Sequence, residues 1–100
     1  MYSLNNENHK IVLAHTKKLL DVPHLAIRLE GHADERWSSE YNIALGEKRA
    51  KTVARILMDK GVSRDRITVV SYGKEKPATR GHDESAWKLN RRVEIEYERY

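Results

Sequence analysis

The feature that most constrains the fold is a change of hydrophobic period between residues 25 and 72. From Leu25 to Glu30 the side chains alternate, Leu25, Ile27 and Leu29 against Ala26, Arg28 and Glu30, as in a strand with one buried face. Gly31 marks its end. Ser38 or Ser39 then offers an N-cap hydroxyl, and a helix is expected from about residue 39 to residue 60, stopped by Gly61. Ile67 to Tyr72 is β-branched and apolar on both faces, as expected of a central strand covered on both sides. Strand, long helix and strand make a crossover unit, which is right-handed.

The flanking segments extend this unit. Residues 8–20 read as a first helix with Val12, Thr16, Leu19 and Leu20 on one side and Leu13 beside them. Tyr2 to Asn5 reads as the stub of a strand. After a loop from Lys74 to Arg80, Asp83 is placed to cap a short helix through Ala86, Trp87 and Leu89. Val93, Ile95 and Tyr97 then alternate with Arg92, Glu94 and Glu96, which suits an edge or antiparallel strand. The expected fold class is α/β (an α+β sandwich), a βαβαβ(α)β mixed sheet with helices packed on it. It forms one domain over residues 1–100, with the first strand abbreviated.

Composition removes several function classes. There are no cysteines, so no disulfide framework or thiolate metal cluster is available. No apolar run approaches the roughly 20 residues that span a bilayer, and the N-terminus lacks a basic stretch followed by an apolar one. A net charge of +4 raises the question of nucleic acid. Acidic residues are interleaved with the basic ones almost everywhere, as in Lys74-Glu75-Lys76, so a mixed solvated surface is the better reading.

Two residues break the pattern of the long helix. Its buried stripe is Gly46, Ala50, Val53 and Leu57, yet Asn42 and Arg49 fall on or beside that stripe. A guanidinium there needs a partner, because an unpaired buried charge costs several kcal/mol. Asp34, just beyond the strand end, is the obvious candidate. In α/β sheets ligands bind beyond the carboxyl ends of strands, where Asp34, Asn42 and Arg49 all fall. Arg can grip a carboxylate and Asp can accept from an ammonium, so the pair suits the head of an amino acid. The plainer alternative, which spacing alone favours, is an Asp34–Arg49 ion pair tying helix to strand.

Other chemistry has weaker support. His32 and Asp34 share the strand end and His82-Asp83 lies in a distant loop, but no His-Glu-x-x-His or second fixed spacing occurs, so no metal and no cofactor is expected. The serines lack a nucleophile-elbow context, and nothing sets two of Asp34, Glu35 and Glu40 across a sugar cleft, so the chain is not expected to be an enzyme. Tyr41 and Tyr72 suit core or pocket wall. Trp37 in the loop, with Glu35 and Arg36 before it, is a candidate partner-binding anchor, and packing over the helix start serves an indole equally well. Asn90-Arg91-Arg92, entering the last strand, adds cations to an anion site or forms a polar strand entrance.

Gly31-His32-Ala33-Asp34-Glu35-Arg36, the run Tyr41 to Ala50, Ser71-Tyr72-Gly73-Lys74-Glu75-Lys76-Pro77 and Asn90-Arg91-Arg92-Val93 together resemble the OmpA-like peptidoglycan-binding domains, and within them the lipoprotein branch that works with the Tol system. The resemblance runs from about Leu25 to Tyr97 and is looser before it. It implies a non-catalytic periplasmic module that binds the meso-diaminopimelate residue of the peptidoglycan stem peptide and ties the outer membrane to the wall. Asp34 and Arg49 match the residues that hold the amino acid head, and Asn42 matches the asparagine supporting them. His32 and the closing Asn90, Arg91 and Arg92 complete the implied site. A TolB-like protein is the implied second partner, over an overlapping surface. Trp37 stands where the family usually has glycine. The signal peptide and lipid-bearing cysteine of that branch are not in this sequence, so a domain excised from its anchor is expected, with a re-engineered scaffold as the alternative origin.

Overall fold

The computed structural model describes residues 6–100, so the stub expected at Tyr2–Asn5 lies outside the described residues. In order the elements are α1 (Asn6–Asp21), β1 (Leu25–His32), α2 (Ser39–Asp59), a 3-10 turn (Arg64–Arg66), β2 (Ile67–Gly73), α3 (Glu84–Asn90) and β3 (Val93–Arg99). This is an α+β fold with a mixed sheet, as expected. The described strands run β2-β1-β3, with β1 parallel to β2 and antiparallel to β3.

That order corrects one expectation. Among the described strands β1 is central and β2 lies at an edge. The apolar residues on both faces of β2 have a different cause. Ile67 and Val69 pack on the core, while on the other face Tyr72 is covered by the His32 ring, the Arg28 guanidinium and Lys76. Among the described residues, side chains of β1 and of the loop after β2, and not a second helical layer, shelter that end of the strand.

The core lies between one face of the sheet and the two longer helices. Val12 and Leu19 from α1, Ala50, Val53, Ala54 and Leu57 from α2, and Ile27 and Leu29 from β1 form it, with Val93, Ile95 and Tyr97 packed against it. In α1 the buried line is Val12, Thr16 and Leu19, whereas Leu13 and Leu20 are exposed, contrary to the expected stripe. Leu20 is one residue past the line, and about 100° of helical rotation turns it to solvent.

Caps follow the sequence reading closely. The Ser38 hydroxyl accepts from the Tyr41 amide, and Asp83 does the same for Ala86. At the other end of α2, Gly61 has φ 106°, its amide donates to Met58 and that of Val62 to Leu57. This pair of bonds satisfies carbonyls of the last turn and requires a left-handed residue between them.

Candidate functional site

The site is built where α2 meets the end of β1. A Cβ on Gly31 would lie 1.7 Å from the Gly46 carbonyl oxygen, so helix and strand touch backbone to backbone. The chain beyond β1 is then held from both sides. The His32 amide donates to Arg92 O at 2.8 Å and the Ala33 amide to Gly73 O at 2.8 Å, which buries Ala33 and Asp34 between the ends of β2 and β3.

Asp34 is 4% exposed and its carboxylate is surrounded by donors. Arg36 donates from Nε to Oδ1 at 3.1 Å, from Nη2 to Oδ2 at 2.8 Å and from its backbone amide to Oδ1 at 3.0 Å. Arg91 adds Nη1 to Oδ2 at 3.1 Å while its other end engages Glu84. Burial pushes the carboxyl up, but the hydrogen bonds from Arg36 and Arg91 outweigh it and lower the pKa to about 2. Asp34 is therefore an anion at any physiological pH.

Arg49 reaches the same strand end by another route, donating from Nη1 to the His32 carbonyl at 2.9 Å. The cations on Asp34 are thus Arg36 and Arg91, in place of the plain Asp34–Arg49 ion pair that spacing favoured. Contact of α2 with the strand backbone accounts for this, because the guanidinium meets a main-chain carbonyl and leaves the carboxylate to the turn and to the entrance of β3.

Asn42 is fully buried and acts on the loop from below. Its Nδ2 donates to the Arg36 carbonyl and, at 3.5 Å, to the Trp37 carbonyl, which also accepts from Lys74 Nζ at 3.0 Å. Trp37 itself has φ 76°, a left-handed conformation that disfavours any side chain. That backbone explains the glycine expected at this position from the resemblance. The indole is 65% exposed and meets Tyr41 edge-on at 6.0 Å, and Tyr41 is exposed too, where a core or wall position was expected.

Asn90 and Arg92 hold a neighbouring loop. Asn90 Oδ1 accepts from the amides of Ala78 and Thr79, and Arg92 donates to Lys76 O at 2.9 Å. The His32 ring points to the sheet face opposite the helices. It stacks on Tyr72 at 5.5 Å, with Nε2 3.5 Å from Glu94 Oε2. Burial, then the Arg92 charge, lowers its pKa, so the ring is neutral at pH 7. His82 pairs with Glu35, whose carboxylate also accepts from Trp87 Nε1 at 2.8 Å, so it does not join His32 and Asp34.

Between these loops lies a cavity of about 360 Å³ lined by residues including Ala33, Glu35, Lys74, Thr79, His82 and Asn90. The sequence reading missed Arg36 as an Asp34 ligand and the Glu35–Trp87–His82 cluster. A signal for the first existed, since an Asp whose side chain accepts from the amide two residues on is a common turn. The second joins residues 47 and 52 positions apart and left no local trace.

Comparison with known proteins places the fold and the sequence. The family model described as "OmpA family" matches residues 2–91, and so includes the N-terminal segment whose resemblance was loose. The chain is 56% identical over 87 residues to the peptidoglycan-associated lipoprotein of Legionella pneumophila, covering 87% of this chain and 49% of that protein. It is 45% identical over 96 residues to the lipoprotein of the same name from Pasteurella multocida, covering 96% and 64%. The crystal structure of the peptidoglycan-associated lipoprotein from Burkholderia pseudomallei superposes with a TM-score of 0.93 at 42% identity, over 98% of this chain and 83% of that one. The chain spans about half the length of the first of these relatives. By motif, fold and sequence identity together, it belongs to the OmpA family.

Proposed function

We propose that this chain is a non-catalytic peptidoglycan-binding module of the periplasm, serving a protein that ties the outer membrane to the wall. The ligand on this reading is the free amino acid head of a meso-diaminopimelate residue in a stem peptide. One observation carries it: Asp34 is a buried anion with two guanidiniums on it, and a third, Arg49, reaches the same strand end. A zwitterion suits such a site, since it offers an ammonium to the Asp34 carboxylate and a carboxylate to a guanidinium. Its ammonium takes a place on Asp34, and the displaced guanidinium turns to the carboxylate of the ligand. Arg36, half-exposed at 37%, is the partner best able to move. Asn42, Asn90 and Arg92 support by holding loops, and His32 by presenting its carbonyl to Arg49. The adjacent cavity is of a size suited to a small ligand. Few contacts to a small head make each site weak, and the repeating polymer compensates through avidity.

Titration with a diaminopimelate-containing muropeptide, followed by amide shifts, tests this. Asp34→Asn and Arg49→Ala are each expected to weaken binding by about tenfold or more, and a lysine-type stem peptide is expected not to bind. Equal binding by parent and both variants would sink the reading.

A second partner is supported by the exposed Trp37–Tyr41 pair, since solvent-facing aromatics beside Glu35 and Arg36 suit a protein interface. A TolB-like protein over this loop is that reading. Trp37→Ala should then abolish its binding while muropeptide titration is unchanged.

A further inference from the structure

On the sheet face away from the helices, three side chains converge without an evident purpose. Glu30 and Glu94 stand directly opposite one another across the antiparallel β1–β3 pair, a like-charge juxtaposition that Arg28 on Glu30 and Arg92 on Glu94 offset. His32, two residues along β1 from Glu30, is 1% exposed, and neither ring nitrogen has a hydrogen-bond partner among the described residues. A buried polar group left this way is costly, and native structures rarely leave one without reason. Stacking on Tyr72 orients the ring, and Nε2 faces Glu94 Oε2 at 3.5 Å. One ligand atom from each of Glu30, His32 and Glu94 lies within 4.8 Å of the other two.

We propose that Glu30, His32 and Glu94 form a binding site for a divalent transition-metal ion of the Zn²⁺ class. An imidazole with two carboxylates is a donor set suited to zinc, and three protein ligands leave a fourth position for water. Glu94, about half exposed, supplies both the solvent side and the side-chain freedom to close on the ion. Arg28 Nε holds Glu30 through Oε2 at 2.9 Å and Arg92 Nε holds Glu94 through Oε2 at 2.7 Å. Arg28 and Arg92 thus orient the two carboxylates, and one oxygen of each lies in the cluster with a ring nitrogen of His32. The ion gives the buried imidazole the partner it lacks and adds to the charge compensation that Arg28 and Arg92 already give the two glutamates. It also clips β1 to β3 beside the Asp34–Arg91 ion pair, so metal occupancy stiffens the strand ends that carry the ligand pocket. The site uses the His32 ring, whereas Arg49 is met by the His32 carbonyl, and it does not depend on the Asp34–Arg49 assignment.

Calorimetric titration of the whole chain with ZnCl2 at pH 7 in a non-chelating buffer tests this, with side-chain ¹⁵N spectra of the histidines. One equivalent of Zn²⁺ should bind and shift the Nε2 resonance of His32. Glu94→Gln and Glu30→Gln, both outside the core, should each weaken binding by about tenfold or more. His32→Gln should abolish it, and the two glutamate variants carry the test if that protein does not fold. The proposal is overturned by absence of binding at millimolar ZnCl2, by unchanged affinity in both glutamate variants, or by a response confined to His82 at Glu35.

Discussion

Asp34 is held ionised by groups from two places in the chain: Arg36 with its own amide in the turn, and Arg91 at the entrance of β3. Its pKa of about 2 lies below the ordinary 3.8, so the folded state binds this proton more weakly than the unfolded state does. The sign follows. Asp34 contributes its full stabilisation above pH 4, and that contribution disappears as pH falls from about 4 through about 2. Its size is about 2 kcal/mol. Denaturant midpoints measured across that window should fall for the parent, and Asp34→Asn should lose this part of the acid limb. At this scale the sequence was informative where a residue broke a pattern. Asn42 and Arg49 were visible as polar groups on an apolar stripe, and Arg49 faces the end of β1 while Asn42 faces the loop that follows it. What Arg49 bonds to was not visible, because periodicity gives the face of a helix and says nothing of the atom opposite.

At the scale of elements, the contact between α2 and β1 decides where everything else sits. Gly31 and Gly46 permit that contact, and the missing Cβ atoms are its whole basis. Gly31→Ala would put a methyl 1.7 Å from a main-chain oxygen that cannot rotate away, so helix and strand must separate. The variant should lose about 3 kcal/mol or more in chemical denaturation, if it folds at all. The caps were legible because capping is local chemistry: a serine or aspartate three residues before an amide, and a glycine after the last turn. Arg66 was not legible. Its guanidinium satisfies the carbonyls of Leu19, Val22 and Leu25, binding the end of α1 to the start of β1 across more than 40 residues.

For the molecule as a whole, the order β2-β1-β3 sets the gradient of stability. Amides of β1 from Ile27 to Gly31 have a described strand on each side and should exchange slowest with deuterium, ahead of those of β2. Slowest exchange in β2 would restore the central position expected from its composition. The chain by itself determined the element types, the crossover unit, the caps and the residues that gather at the strand end, since each depends on periods and on short-range chemistry. Only the tertiary structure decided that β1 is central among the described strands, that Asp34 is held by Arg36 and Arg91, that Trp37 is left-handed, and that Glu30, His32 and Glu94 meet. Strand order and charge pairing depend on which segments the packed core brings together, and residues 57 positions apart carry no mutual spacing to read.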